Sequence, residues 1–132
     1  MNQVVAHTKT GQLIKGITNN FLPNKESFHL LPAGSAPGTK PMEVFLNQLK
    51  ALFFVKDLQG QRDHQEKNAF DPYAFQQGKK IRVVFQDGEV LVGLTQGYQP
   101  GRPGFFMVPA DPKSNNERCY IVASSTKEVT LL

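Results

Sequence analysis

The chain repeats itself at a constant spacing of 77 residues, with no gap from one end to the other. Gly11 recurs as Gly88, Gly16 as Gly93, Thr18 as Thr95, Pro23 as Pro100, Phe28 as Phe105, Pro32 as Pro109 and Lys50 as Lys127. Conservative pairs fill the intervals: Val4/Ile81, Ile14/Leu91, Ile17/Leu94, Phe21/Tyr98, Lys25/Arg102, Leu30/Met107, Val44/Ile121 and Leu52/Val129. An accidental match does not hold one register over a whole chain, so the sequence encodes one small module used twice. The division that follows is a first module over residues 1–56, a polar linker over 57–80 and a second module over 81–132.

Each copy has about 50–55 residues, close to the lower limit for a self-sufficient hydrophobic core. The two copies are therefore expected to bury surface against each other. No apolar run approaches the roughly 20 residues of a membrane span. Met1-Asn2-Gln3-Val4-Val5 lacks the basic and apolar segments of a signal peptide. A cytoplasmic protein without a membrane partner is the expectation. With Cys119 as its single cysteine the chain can form no intrachain disulfide. The net charge of +4 is concentrated in the first copy, where residues 1–55 carry five Lys against two acids; residues 81–132 carry five bases and five acids. An excess of this size permits an anionic partner without requiring one.

The second copy is the easier one to read. Residues 81–86 alternate as a strand, Asp87-Gly88 marks a tight turn, and residues 89–98 form a second strand bent at Gly93. Pro100-Gly101-Arg102-Pro103-Gly104 cannot continue a central strand and is a loop. Residues 105–109, 118–123 and 128–132 complete five strands. Residues 42–58, taken alone, have the spacing of an amphipathic helix, but their partner stretch 119–132 is rich in β-branched residues. One register demands one answer, and the answer is two strands, 42–46 and 51–57. Five short bent antiparallel strands per copy predict an all-β chain of two small closed or nearly closed barrels. Ile81, Val83, Phe85, Leu91, Gly93 and Thr95 point inward. That parity leaves Leu13, Ile17, Val90 and Leu94 outside, as candidates for a barrel-to-barrel or subunit contact.

Residues 80–93 combine an apolar alternating strand, Asp87-Gly88 and a second glycine, Gly93, five residues on. This resembles the first motif of the Sm/LSm-like proteins, and the first copy keeps both glycines as Gly11 and Gly16. The resemblance covers about the first half of each copy. It implies two tandem five-stranded Sm-like or SH3-like small barrels, assembly into rings, and RNA as a usual ligand. The chain also resembles bacterial tandem small-barrel domains that accompany PilZ-type signalling modules. Two positions depart from these patterns. The Asp-x-x-x-Asn loop of Sm-like RNA sites is replaced by residues 98–104 and 21–27, and the late Arg-Gly or Lys-Gly signature by residues 124–128 and 47–51. Arg62, Arg82, Arg102 and Arg118 do not form the Arg-x-x-x-Arg pair of PilZ domains, so no cyclic dinucleotide is expected.

His7, His29 and His64 match no metal-ligand spacing. Cys119 lies within a strand and reads as a buried thiol rather than a nucleophile. The chain has neither a Gly-rich phosphate loop before a helix nor a Gly-x-Ser-x-Gly elbow. No enzyme, metal or cofactor is expected. What remains is the pair of loops, with Arg102 and Lys25 at equivalent tips and Tyr98 and Phe21 flanking them. Such a set suits stacking on and neutralising a nucleic-acid strand, and equally suits docking an acidic protein surface. Without the RNA motif, the expectation is a non-catalytic binding or assembly module in bacterial regulation. It would act on a protein partner or by self-association, with Sm-like RNA binding as the alternative.

Overall fold

The computed structural model describes residues 1–59, 78–111 and 113–132. The polar and aromatic centre of the linker, with Arg62 and His64, lies outside the described residues. Ten strands make the described chain all-β: β1 (Asn2–Thr8), β2 (Leu13–Thr18), β3 (Ser27–Pro32), β4 (Met42–Phe45), β5 (Leu49–Val55), β6 (Lys79–Phe85), β7 (Val90–Thr95), β8 (Gly104–Pro109), β9 (Asn116–Val122) and β10 (Thr126–Leu131). Single 3-10 turns, Leu46–Gln48 and Ala123–Ser125, join β4 to β5 and β9 to β10. The helix-like spacing of residues 42–58 thus belongs to a strand, a turn and a strand. Among the described residues no helix is long and apolar enough to cross a membrane.

The 77-residue spacing governs the pairing. Val4 lies opposite Gly16, and Ile81 opposite Gly93. The Thr8 amide donates to the Gln12 carbonyl at 2.9 Å, and the Phe85 amide to the Glu89 carbonyl at 2.8 Å. Gly11 and Gly88 both have φ +92°, the left-handed residue that closes a three-residue hairpin loop. The Thr18 hydroxyl donates to the His29 carbonyl at 2.7 Å and the Thr95 hydroxyl to the Phe106 carbonyl at 2.8 Å.

Where two closed or nearly closed barrels are expected, the strands form one open antiparallel sheet in the order β10-β6-β7-β8-β9-β5-β1-β2-β3-β4. The ladder passes from the second half to the first through β9 and β5, with Tyr120 opposite Leu52 and Ile121 opposite Ala51. The composition of β5 explains this. Leu52 and Phe54 belong to one apolar cluster, with Val4, Ala6, Phe28, Leu30 and Val44. Ala51, Phe53 and Val55 belong to another, with Ile81, Val83, Phe85, Phe105 and Met107. Successive strand residues face opposite sides, so the two clusters lie on opposite faces of β5. On β9, Tyr120 and Val122 join the first cluster, and Cys119 and Ile121 the second. Strands covered on both faces need near-continuous apolar runs, and residues 51–55 are all buried.

The inward parity of the second half is as expected. Ile81, Val83, Phe85, Gly93 and Thr95 are buried, and Leu91 packs partly buried against their cluster. Cys119 is a buried thiol in no disulfide, its Sγ 3.7 Å from the Met107 carbonyl oxygen.

Candidate functional site

The β2–β3 loop leaves the sheet at Pro23, and the β7–β8 loop at Pro100-Gly101-Arg102-Pro103, because proline has no amide to continue a ladder. In both loops the tip is a tight turn. The Lys25 amide donates to the Leu22 carbonyl at 3.1 Å and the Arg102 amide to the Gln99 carbonyl at 3.5 Å. Each loop is then tied to the 3-10 turn of its own half. The Leu46 amide donates to the Glu26 carbonyl at 2.9 Å, and the Ala123 amide to the Pro103 carbonyl at 2.8 Å. These bonds fix the loops against the sheet rather than leaving them to order on binding.

The fixed loops enclose a cleft of about 690 Å³ between the two halves. Phe45, Leu46, Tyr120, Val122, Pro23 and Pro103 supply its apolar walls; Asn24, Lys25, Glu26, Asn47, Arg102 and Ser124 line it with polar groups. Lys25 and Arg102, 77 residues apart in sequence, therefore share one cleft. Both are exposed. Gly104 gives Tyr120 its place: a Cβ there would lie 2.6 Å from the Tyr120 ring and 2.4 Å from the Ile121 carbonyl oxygen. Burial pushes the Tyr120 phenol above its ordinary range, so it stays protonated.

Phe21 and Tyr98 do not line this cleft. The Phe21 ring meets Phe28, Phe54, Phe106 and Tyr120 edge-on, with centroids 5.3–6.1 Å apart. Tyr98 stands edge-on to Phe105 at 4.8 Å. Both rings are half-buried parts of the cores. Arg118 is likewise engaged, its guanidinium 4.4 Å from the Phe54 centroid and 5.0 Å from that of Phe106.

The outer-face candidates lie elsewhere. Leu13 is exposed, while Ile17, Val90 and Leu94 are half-buried, with Leu94 opposite Lys80 and Val108. None of the four takes part in the β5–β9 ladder that joins the halves. Leu13 borders a second depression with His7, Lys50, Asp87 and Glu89. There Lys50 reaches from β5 to the β6–β7 turn, with Nζ 2.7 Å from Asp87 Oδ2 and in contact with Glu89 Oε1. Burial draws the Lys50 ammonium down, but the hydrogen bonds to Asp87 and Glu89 outweigh it and hold the group above its ordinary value. The same bond from Lys50 holds the Asp87 carboxyl below the usual range. This cluster satisfies itself and staples the halves together. Among the described residues no group of three or more His, Cys, Asp or Glu is arranged to hold a metal ion.

The family of unknown function DUF6982 matches the chain over residues 1–132. The chain belongs to that family. No curated protein matches it, and no solved structure does. The cleft of this DUF6982 chain was half legible in its sequence. The repeat pairs Lys25 with Arg102, but Tyr120, Phe45 and Leu46 carry no local motif. Their one sequence signal is position, since Leu46/Ala123 and Asn47/Ser124 are also equivalent pairs.

Proposed function

We propose that this protein is a non-catalytic, cytoplasmic binding module whose halves are Sm-like small barrels joined edge to edge, and that the cleft between them takes an extended acidic segment of a partner protein. One observation carries this reading: two exposed cations from equivalent loops, Lys25 and Arg102, flank a single apolar-walled cleft. An apolar floor with charged rims suits a peptide that buries a few side chains and sets its carboxylates against the cations. The hydrogen-bonded loop tips support the reading, since a preorganised site avoids an ordering cost. RNA is the weaker alternative because the flanking rings of Phe21 and Tyr98, which base stacking would need, are packed into the cores.

Fluorescence anisotropy with two labelled probes tests the proposal: a peptide alternating Glu with Leu, and oligouridylate. The peptide is expected to bind with salt-sensitive affinity. Lys25→Ala with Arg102→Ala should weaken it by about 1–3 kcal/mol, the range of a moderate interface hot spot. Salt-sensitive oligouridylate binding lost in the same double variant would replace the protein reading with RNA. If neither probe binds, the cleft is removed as a site.

A further inference from the structure

The ends of the sheet repeat its middle. Shifting β9 by 77 residues places Cys119–Val122 on Met42–Phe45, which is the edge strand β4. Shifting β5 the same way places it on β10, the opposite edge. Inside the chain β9 and β5 pair with each other; among the described residues β4 pairs only with β3 and β10 only with β6. We propose that β4 of one chain pairs with β10 of a second copy, repeating the internal β9–β5 junction between chains and assembling the protein head to tail.

Three observations bear on this. The first is exposure. At the internal junction Cys119, Val122, Phe54 and Val55 are 0–7% exposed. Their equivalents at the ends, Met42, Phe45, Leu131 and Leu132, are also apolar and are 39–64% exposed. The second is hydrogen-bond direction. The Leu46 amide donates to the Glu26 carbonyl and the Leu132 amide to the Lys80 carbonyl. Amides alternate sides along an antiparallel strand, so the Glu43 and Phe45 amides point away from β3, and the Val129 and Leu131 amides away from β6. The third is register. Transferring the internal pairs Ile121/Ala51, Tyr120/Leu52 and Cys119/Phe53 sets Val44 opposite Glu128, Glu43 opposite Val129 and Met42 opposite Thr130. Glu43 and Val129 are both residues with outward amides, so the transferred register lets them exchange two hydrogen bonds. Exposure, amide direction and register agree on one arrangement.

The junction between chains is weaker than the one inside. Pro41 stands where Arg118 stands internally and has no amide to donate. The Lys50 ion pairs also have no counterpart, because Thr10 and Gln12 occupy the places of Asp87 and Glu89. Association is therefore reversible and concentration-dependent. Because the two surfaces differ, the contact is heterologous and continues beyond a dimer, either closing a ring or extending a filament.

Sedimentation of the full chain over a range of concentrations tests this. The weight-average mass should rise with concentration past twice the single-chain value. Glu43→Pro and Val129→Pro each remove one outward amide, at edge positions where proline is tolerated. Each variant, melting near the unsubstituted chain, should sediment as a monomer. Their equimolar mixture should form a dimer and nothing larger, because it offers one intact β4 and one intact β10 per pair. A chain that stays monomeric at its highest soluble concentration overturns the proposal without recourse to any variant. So does a variant that associates as the unsubstituted chain does, or a mixture that yields no dimer.

Discussion

A Cβ on Gly93 would lie 2.2 Å from the Val108 carbonyl oxygen, and one on Gly16 the same distance from that of Leu31. The two glycines are needed because the third strand of each half crosses the bent strand in backbone contact, and a backbone oxygen in a ladder has nowhere to go. Gly88 presents the opposite case. Its φ is +92°, yet nothing lies within 4 Å of a Cβ built there. Space decides the first pair and conformation the second, and the two costs differ in size. Gly93→Ala should cost about 3 kcal/mol, toward the upper end for overpacking. Gly88→Ala should cost about 1–2 kcal/mol, the strain of an L-residue in the left-handed region. Thermal melts of both variants check the order, and a Gly93→Ala protein as stable as Gly88→Ala would mean that β8 does not cross β7 so closely.

Among the elements, β5 shows what sequence reading reaches and what it misses. Its existence follows from the repeat, which overrides the helix-like spacing of residues 42–58. Its place in the middle of the sheet has a signal too, but a relative one: residues 51–55 are all apolar, whereas the equivalent stretch of β10 reads Glu128-Val129-Thr130-Leu131-Leu132. The two copies of one strand differ because one is interior and the other is an edge. The β9–β5 pairing itself is not legible, since alternation identifies a strand without naming its neighbour. The packing of β1 on β5 has a pH signature. The His7 ring lies 4.4 Å from that of Phe53, and burial lowers the imidazole from its ordinary 6.5. As pH falls below 6.5 the unfolded chain takes up a proton that the folded chain still resists, so the unfolded state is favoured. Stability present above that value should therefore decline as pH drops through it toward the lower folded value. His7→Leu should flatten this part of the pH profile in denaturant titrations; a profile unchanged by the substitution would assign the slope to other groups.

At the scale of the whole molecule the repeat suggests two modules, and the packing argues that neither is self-sufficient. The core of the second half takes in Val5, Ala51, Phe53 and Val55, and that of the first half takes in Tyr120 and Val122. Separating the halves would uncover one face of both β5 and β9. It would also break the Lys50 contacts to Asp87 and Glu89, the stacking of Arg118 on Phe54, and the Ser125 hydroxyl bond to the Lys50 carbonyl at 2.8 Å. The apolar loss dominates. Each large core side chain returned to water forfeits about 1.5–3 kcal/mol, and several are involved, against a total stability of about 5–15 kcal/mol for a whole domain. A half of about 55 residues has no reserve to absorb that. Residues 1–59 and 78–132, produced separately, should each be unfolded or aggregated, with no dispersed amide spectrum. Produced together, they should recover one complex, since the β5–β9 ladder and both shared cores need no peptide bond across the linker. The intact chain should melt in a single transition whose calorimetric and van't Hoff enthalpies agree. Two resolved transitions, or a folded monomer from either half alone, would mean that the halves are domains in series, and that burial across β5 and β9 contributes far less than its area implies.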